Sequence, residues 1–153
     1  MTETAPTSSP SLLRRLAAML YDTFLVVALV AVVNAIALAV VVRATGGEQE
    51  VLSAPVVQLL TVTSVFGFFC LFWLKNGQTL GMQAWRIKLV DYNGNPPTAG
   101  RAIVRCCGAL LSAACLGLGY LWCLVDRNHR YWHDYLSRTE LILLPKTPGK
   151  KPG

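Results

Sequence analysis

Charge is what this sequence has little of. Only 14% of its 153 residues are Asp, Glu, Lys or Arg, against roughly 25% in a soluble domain. Apolar residues make up 54% and fall in long blocks, which points to a membrane class. There is no CxxC pair. The five cysteines (Cys70, Cys106, Cys107, Cys115 and Cys123) are odd in number and lie inside apolar stretches. That argues against a disulfide framework or a zinc site. They read as small buried or lipid-facing side chains, with S-acylation of one as the alternative. Nucleophile elbow, P-loop, Rossmann fingerprint and zincin motif are all missing, as is any internal repeat. Neither a metal nor a cofactor is expected, nor a catalytic residue, and the chain reads as a non-enzyme. The net charge of +6 comes without a nucleic-acid-binding motif. Its basic residues flank apolar blocks, so membrane lipid is the expected partner.

What is present divides into three parts: a disordered polar tail (1–11), a membrane domain (12–144) and a flexible basic tail (145–153). Ser11 is a candidate N-cap for a helix running from residue 12 to about 42. Between Leu16 and Val42 only Asp22 and Asn34 break the apolar run. Those roughly 27 residues would reach about 40 Å, beyond the ~30 Å hydrocarbon core. The helix must tilt, or its first turns must sit in the headgroup layer. Arg14, Arg15 and the Ala-x-Ala pattern between Ala35 and Ala39 resemble a signal peptide, but the apolar region is too long for one. A second span covers residues 55–74, with Trp73 where an interfacial aromatic is expected. Then the chain changes in kind. Residues 76–81 read as a loop, 82–86 as a helical turn, 86–91 as a strand and 93–97 as a turn, with Thr98 as a cap. A third apolar block, 102–125, is interrupted by Arg105 and by Leu116-Gly117-Leu118-Gly119. Residues 126–140 are polar and aromatic, and 141–144 read as a strand.

The basic residues set the topology. Arg14 and Arg15 precede the first span. Lys75, Arg86, Lys88, Arg101 and Arg105 lie between the second and third blocks, and Arg127, Arg130 and Arg138 follow the third. The loop between the first two spans has Arg43 against Glu48 and Glu50. The positive-inside rule therefore puts both termini and the middle segment in the cytoplasm. The third block must then enter and leave on one side. A bent or re-entrant pair of short helices, broken near Gly117 and Gly119, fits, provided protein or water covers the freed backbone. A plain third span is the alternative. Strands at 86–91 and 139–144 favour re-entry, because isolated strands must pair. The expected fold is an all-α membrane protein: two full transmembrane helices, a third apolar block that re-enters or spans, and a small cytoplasmic β-pair.

Two constellations stand out. Arg15 and Asp22 are seven residues apart, within about 20° on one helix face. Arg14 lies about 80° off that line and reads as the topology anchor. The rise of about 10 Å is too long for direct contact, so each is expected to pair elsewhere. The bland reading of Arg15 is snorkelling to lipid phosphate. The second constellation is Asp126, His129, His133 and Asp134. His129 and His133 share a helix face at i, i+4; without a supporting ligand pattern a metal site loses to a hydrogen-bonded cluster. Arg105 needs a counter-ion, for which Asp134, Asp126 and Asp22 are candidates. Asn34 reads as a helix–helix hydrogen bond.

Arg15-Leu-Ala-Ala-Met-Leu-Tyr-Asp22 resembles the opening of the RDD family of membrane proteins, named for one arginine and two aspartates. Three further stretches agree: Gly77-Gln-Thr-Leu-Gly-Met-Gln-Ala-Trp-Arg-Ile-Lys-Leu-Val-Asp91, Gly100-Arg-Ala-Ile-Val-Arg105 and His133-Asp134-Tyr-Leu-Ser-Arg-Thr139. Met82-Gln83 departs from the family's usual basic pair. The resemblance implies that Arg15 and Asp22 are the first two named residues and Asp134, ahead of Asp126, the third. It also implies a bacterial inner (cytoplasmic) membrane, multi-pass, with a largely unassigned molecular role. The expected polar cluster is Arg15, Asp22, Arg105, Asp126, His133 and Asp134. Two functions fit it. One is transport of a small ligand or ion, with Asp22 as coupling carboxylate and a homo-oligomer enclosing the path. The other is a non-transporting protein that holds a membrane partner, its Arg/Asp cluster being structural. A membrane enzyme comes third.

Overall fold

The structure, a computed structural model, describes residues 9–127 and 130–145. Helix α1 spans Leu12–Ala44 and α2 Ala54–Asn76. Both are long and apolar enough to cross a bilayer. Three residues of α1 are fully buried, while Leu20, Phe24 and Val27 are exposed, as lipid-facing side chains should be. The buried three are Arg15, Ala18 and Asp22, spaced i, i+3 and i+7 along one stripe. Pro55 sits in the first turn of α2, where its missing N–H costs nothing.

A five-residue helix α3 (Leu80–Ala84) follows. It starts two residues before the turn expected from sequence, because the Thr79 hydroxyl accepts from Met82 N and caps it. Strand β1 (Ile87–Asp91) pairs antiparallel with β2 (Thr139–Leu143), Ile87 opposite Leu143 and Asp91 opposite Thr139. Ile87 and Leu89 point into a core completed by Ala18, Trp73, Met82 and Ala102.

Between the strands run α4 (Ala99–Ala114), α5 (Leu118–Leu121), a 3₁₀ turn (Trp122–Leu124) and α6 (Trp132–Ser137). The chain bends by 106° between α4 and α5. Leu116 and Gly117 take positive φ of 55° and 79° there, and Gly117 N closes the turn on Ser112 O at 2.9 Å. The tip is apolar and exposed, with Leu116, Leu118 and Leu121 outward. Paired strands lie ~4.8 Å apart, whereas a full crossing would separate β1 from β2 by ~30 Å. The third block therefore returns to the side it left, and a straight third span does not fit. Reporters fused after Asn95 and after Pro145 should accordingly read the same side of the membrane. Opposite sides would mean that the β-pair does not form in the bilayer.

Two sequence expectations change. Trp73 is not an interfacial belt residue but is buried beneath the Arg105 guanidinium, 5.4 Å from its ring centre. Asn34 makes no interhelical bond among the described residues. Its amide donates to Val30 O of its own helix at 2.9 Å, which satisfies the donor without a neighbour.

Candidate functional site

The polar side chains gather where the start of α1 meets α3, α4, α6 and the strands. Asp22 reaches across to α3. One carboxylate oxygen accepts from the Thr79 hydroxyl and the other from Gly81 N at 2.8 Å. Both oxygens are thus engaged, on the residue that caps α3 and on its first turn.

Arg105, on α4, chooses Asp134 from the three candidate counter-ions. Its Nη1 donates to Asp134 Oδ1 and to Thr139 Oγ1, the latter at 2.8 Å. Asp134 Oδ2 accepts from Tyr131 N at 2.8 Å and so caps α6. This pair ties α4, α6 and β2 together with both side chains almost wholly out of solvent. Beside it, burial pushes the His133 imidazole down to about 3, and the Arg105 guanidinium pushes the same way. The ring is therefore neutral, and its 3.9 Å approach to Asp134 is not an ion pair. It stacks on Tyr131 with ring centres 5.0 Å apart.

Arg15 differs. Its Nε donates to Pro10 O at 3.0 Å and its Nη2 to Ser9 Oγ at 2.6 Å. The guanidinium lies 5.0 Å over the Tyr131 ring. Among the described residues no carboxylate lies within ion-pair distance of it, yet the residue is only 4% exposed. A buried cation without an anion is costly.

A cavity of about 230 Å³ opens beside these groups. Its walls are apolar, with Phe66 and Phe69 of α2 and Ala109 of α4, and exposed Met19 and Leu110 stand among its lining on the lipid-facing side. Its polar end holds Arg15, Trp73, Arg105, Tyr131 and His133. Three buried polar atoms there find no hydrogen-bond partner among the described residues: Arg15 Nη1, Trp73 Nε1 and His133 Nδ1. Arg15 also lines a second, polar pocket of about 190 Å³, with Ser9, Arg130, Asp134 and Glu140. Its guanidinium thus stands between an apolar chamber and a polar one.

A family model described as the RDD family matches residues 9–138. The chain belongs to the RDD family. No match was found among curated proteins or among solved structures. The family match ends at Arg138, so β2 lies beyond it.

In this RDD protein Arg15, Asp22, Arg105 and His133 line one cavity, and Asp134 holds Arg105 from behind. Asp126 stands apart. It accepts from Arg130 N at 2.9 Å and from the Tyr135 hydroxyl at 2.8 Å, and is not among the cavity's lining. His129 lies outside the described residues. Sequence reasoning missed Trp73, Thr79, Gly81, Tyr131 and Thr139 as parts of the site. Thr79 alone carried a local signal, a hydroxyl residue just ahead of a helical turn. The others acquire their roles only through partners distant in sequence.

Proposed function

We propose that this protein binds a small ligand with apolar and polar parts, drawn from the bilayer, and passes it toward the face that carries the β-pair. On this reading that face is the cytoplasmic one, supported by the basic residues around it, and the membrane is a bacterial inner membrane, which is what the family resemblance implies. The observation that carries the reading is the set of three buried polar atoms, in a single apolar-walled cavity, that have no hydrogen-bond partner among the described residues. Buried polar groups are normally paired, so the vacant donors argue for an occupant. A cavity of this size exceeds the ~150 Å³ apolar cavity that takes up benzene. Arg15, shared with the polar pocket, gives the ligand's polar end a way out. On this reading Asp22 and Asp134 frame the chamber, and Arg15 rather than Asp22 meets the ligand. With two spans making a thin wall, a second copy is the proposed means of enclosing the path.

Ala109→Phe, which fills the chamber from α4, provides the test. Small molecules extracted from the wild type should include a near-stoichiometric species absent from the variant, while both unfold at the same temperature. Identical extracts would sink the proposal. The remaining reading would be a structural or partner-holding protein, favoured by the full engagement of both aspartates by their own chain.

A further inference from the structure

We infer that the ligand is a single-chain amphiphile with an oxyanion head, such as a long-chain carboxylate, and that Arg15, Trp73 and His133 receive the head while the space between α2 and α4 takes the chain. The inference rests on the cavity reading above and adds the ligand's charge and shape.

The charge follows from what is unmet. Arg15 Nη1 and Trp73 Nε1 can only donate. A neutral imidazole has one donor to offer, which the Nδ1 tautomer would put at His133 Nδ1. Among the described residues, Arg15 Nη1 and Trp73 Nε1 are thus two open donors, joined by His133 Nδ1 in its Nδ1 tautomer, and together they ask for an acceptor. The ion pairs sharpen this. Arg105 is matched by Asp134, and Asp22 already holds the α3 start through both oxygens. Asp22 lines the cavity too but meets neutral donors rather than Arg15, so Arg15 has no carboxylate within ion-pair distance among the described residues, and an anionic head would supply that contact. A cationic or purely apolar ligand would leave the guanidinium buried and unmatched.

The shape follows from the walls. The chamber beyond the donors is lined by Val65, Phe66, Phe69, Ala109 and Leu110, which offer nothing to a second polar group. The whole cavity, polar end included, is about 230 Å³, which suits one flexible chain rather than two. Met19 and Leu110 are exposed on the membrane side, so a chain enters sideways from lipid while its head reaches Arg15.

The experiment uses the full chain in zwitterionic nanodiscs near neutral pH, with empty discs as the partition blank. Chain-brominated long-chain acid, alcohol and amine of equal length are titrated and tryptophan quenching is followed, since Trp73 lines the chamber. The acid should bind roughly ten- to hundredfold more tightly than the alcohol, the span expected for hydrogen bonds to a charged group. Arg15→Gln should bring the acid down to the alcohol's affinity while leaving the alcohol unchanged, which also shows that the variant folds. His133→Phe keeps the ring stack and removes one donor, so it should weaken the acid alone even where Arg15→Gln does not accumulate. Equal binding of acid, alcohol and amine would overturn the oxyanion inference and leave the cavity reading standing. Displacement of the acid by millimolar acetate would make the ligand water-borne. Displacement by phosphatidylglycerol in the disc would make it a two-chain lipid. Either outcome overturns the single-chain amphiphile. If no probe quenches and Ala109→Phe changes no extract, the cavity reading falls as well.

Discussion

Asp134→Ala should destabilise the protein by about 3–5 kcal/mol, the usual cost of removing one partner from a buried ion pair. The Arg105 guanidinium would stay where it is, over Trp73 and next to Thr139, with no anion to face. Tyr131 N would lose its acceptor at the start of α6, leaving a further buried donor unmet. The expected observation is a large fall in the unfolding midpoint in mild detergent and a low yield of monodisperse protein. The double variant Arg105→Met with Asp134→Leu should recover most of the loss, because apolar side chains of similar volume remove the desolvation problem together with the pair. The Arg101–Asp91 pair supplies the contrast. Its arginine side chain is 33% exposed. The Asp91 carboxyl is held below the usual range by the Asn95 N–H first, and then by Arg101. Arg101→Ala should therefore leave the unfolding midpoint close to that of the wild type. A wild-type midpoint for Asp134→Ala would show that the buried pair does not anchor the three elements it joins.

The sequence reveals this site in proportion to how local each contact is. The stripe Arg15–Ala18–Asp22 is legible because charges stand out in an apolar run and the helix period fixes their direction. The same-side return of the third block is legible from the basic residues, since a bilayer converts charge into topology. The β-pair follows because a lone strand needs a partner. What a sequence read alone does not supply is the choice among equivalent partners. Asp22 meets Thr79 across 57 positions, and Arg105 meets Asp134 across 29. Three aspartates satisfied the same electrostatic demand of Arg105 until α6 packed on α4. Trp73 shows the converse error. Its place at the end of an apolar helix predicts a headgroup contact, but α4 crosses that end and lays Arg105 on the ring. The unmatched donors of the cavity were invisible for the same reason. An unpaired group is a property of all its neighbours at once.

Gly81→Ala should be comparably damaging, for a steric reason rather than an electrostatic one. At its place in α3 a Cβ would stand 2.3 Å from Ala18 O, and 2.9 Å from Asp22 Cγ and Oδ1. The first obstacle is α1's own backbone, so no side-chain rotation can relieve it. Either α3 must withdraw from α1, or α1 must move. Overpacking of this kind typically costs about 1–3 kcal/mol. Withdrawal would also stretch the Gly81 N–H bond to Asp22, and a hydrogen bond to a charged group contributes about 1.5–3 kcal/mol. The Thr79 bond to Asp22 would be disturbed along with it. The side chains of α3 and β1, including Met82 and Ile87, form one wall of the cavity, so the damage should reach ligand binding as well as folding. A matched control is Gly67→Ala in α2, where a Cβ meets nothing within 4 Å. That change should be neutral, or stabilising by up to about 1 kcal/mol through the usual helix-interior preference for alanine. Unfolding midpoints of the two variants, measured side by side in the same detergent, should differ by several degrees or more. Equal midpoints would mean that α3 does not sit against α1 at this distance in the folded protein, and the Asp22 clamp would go with it.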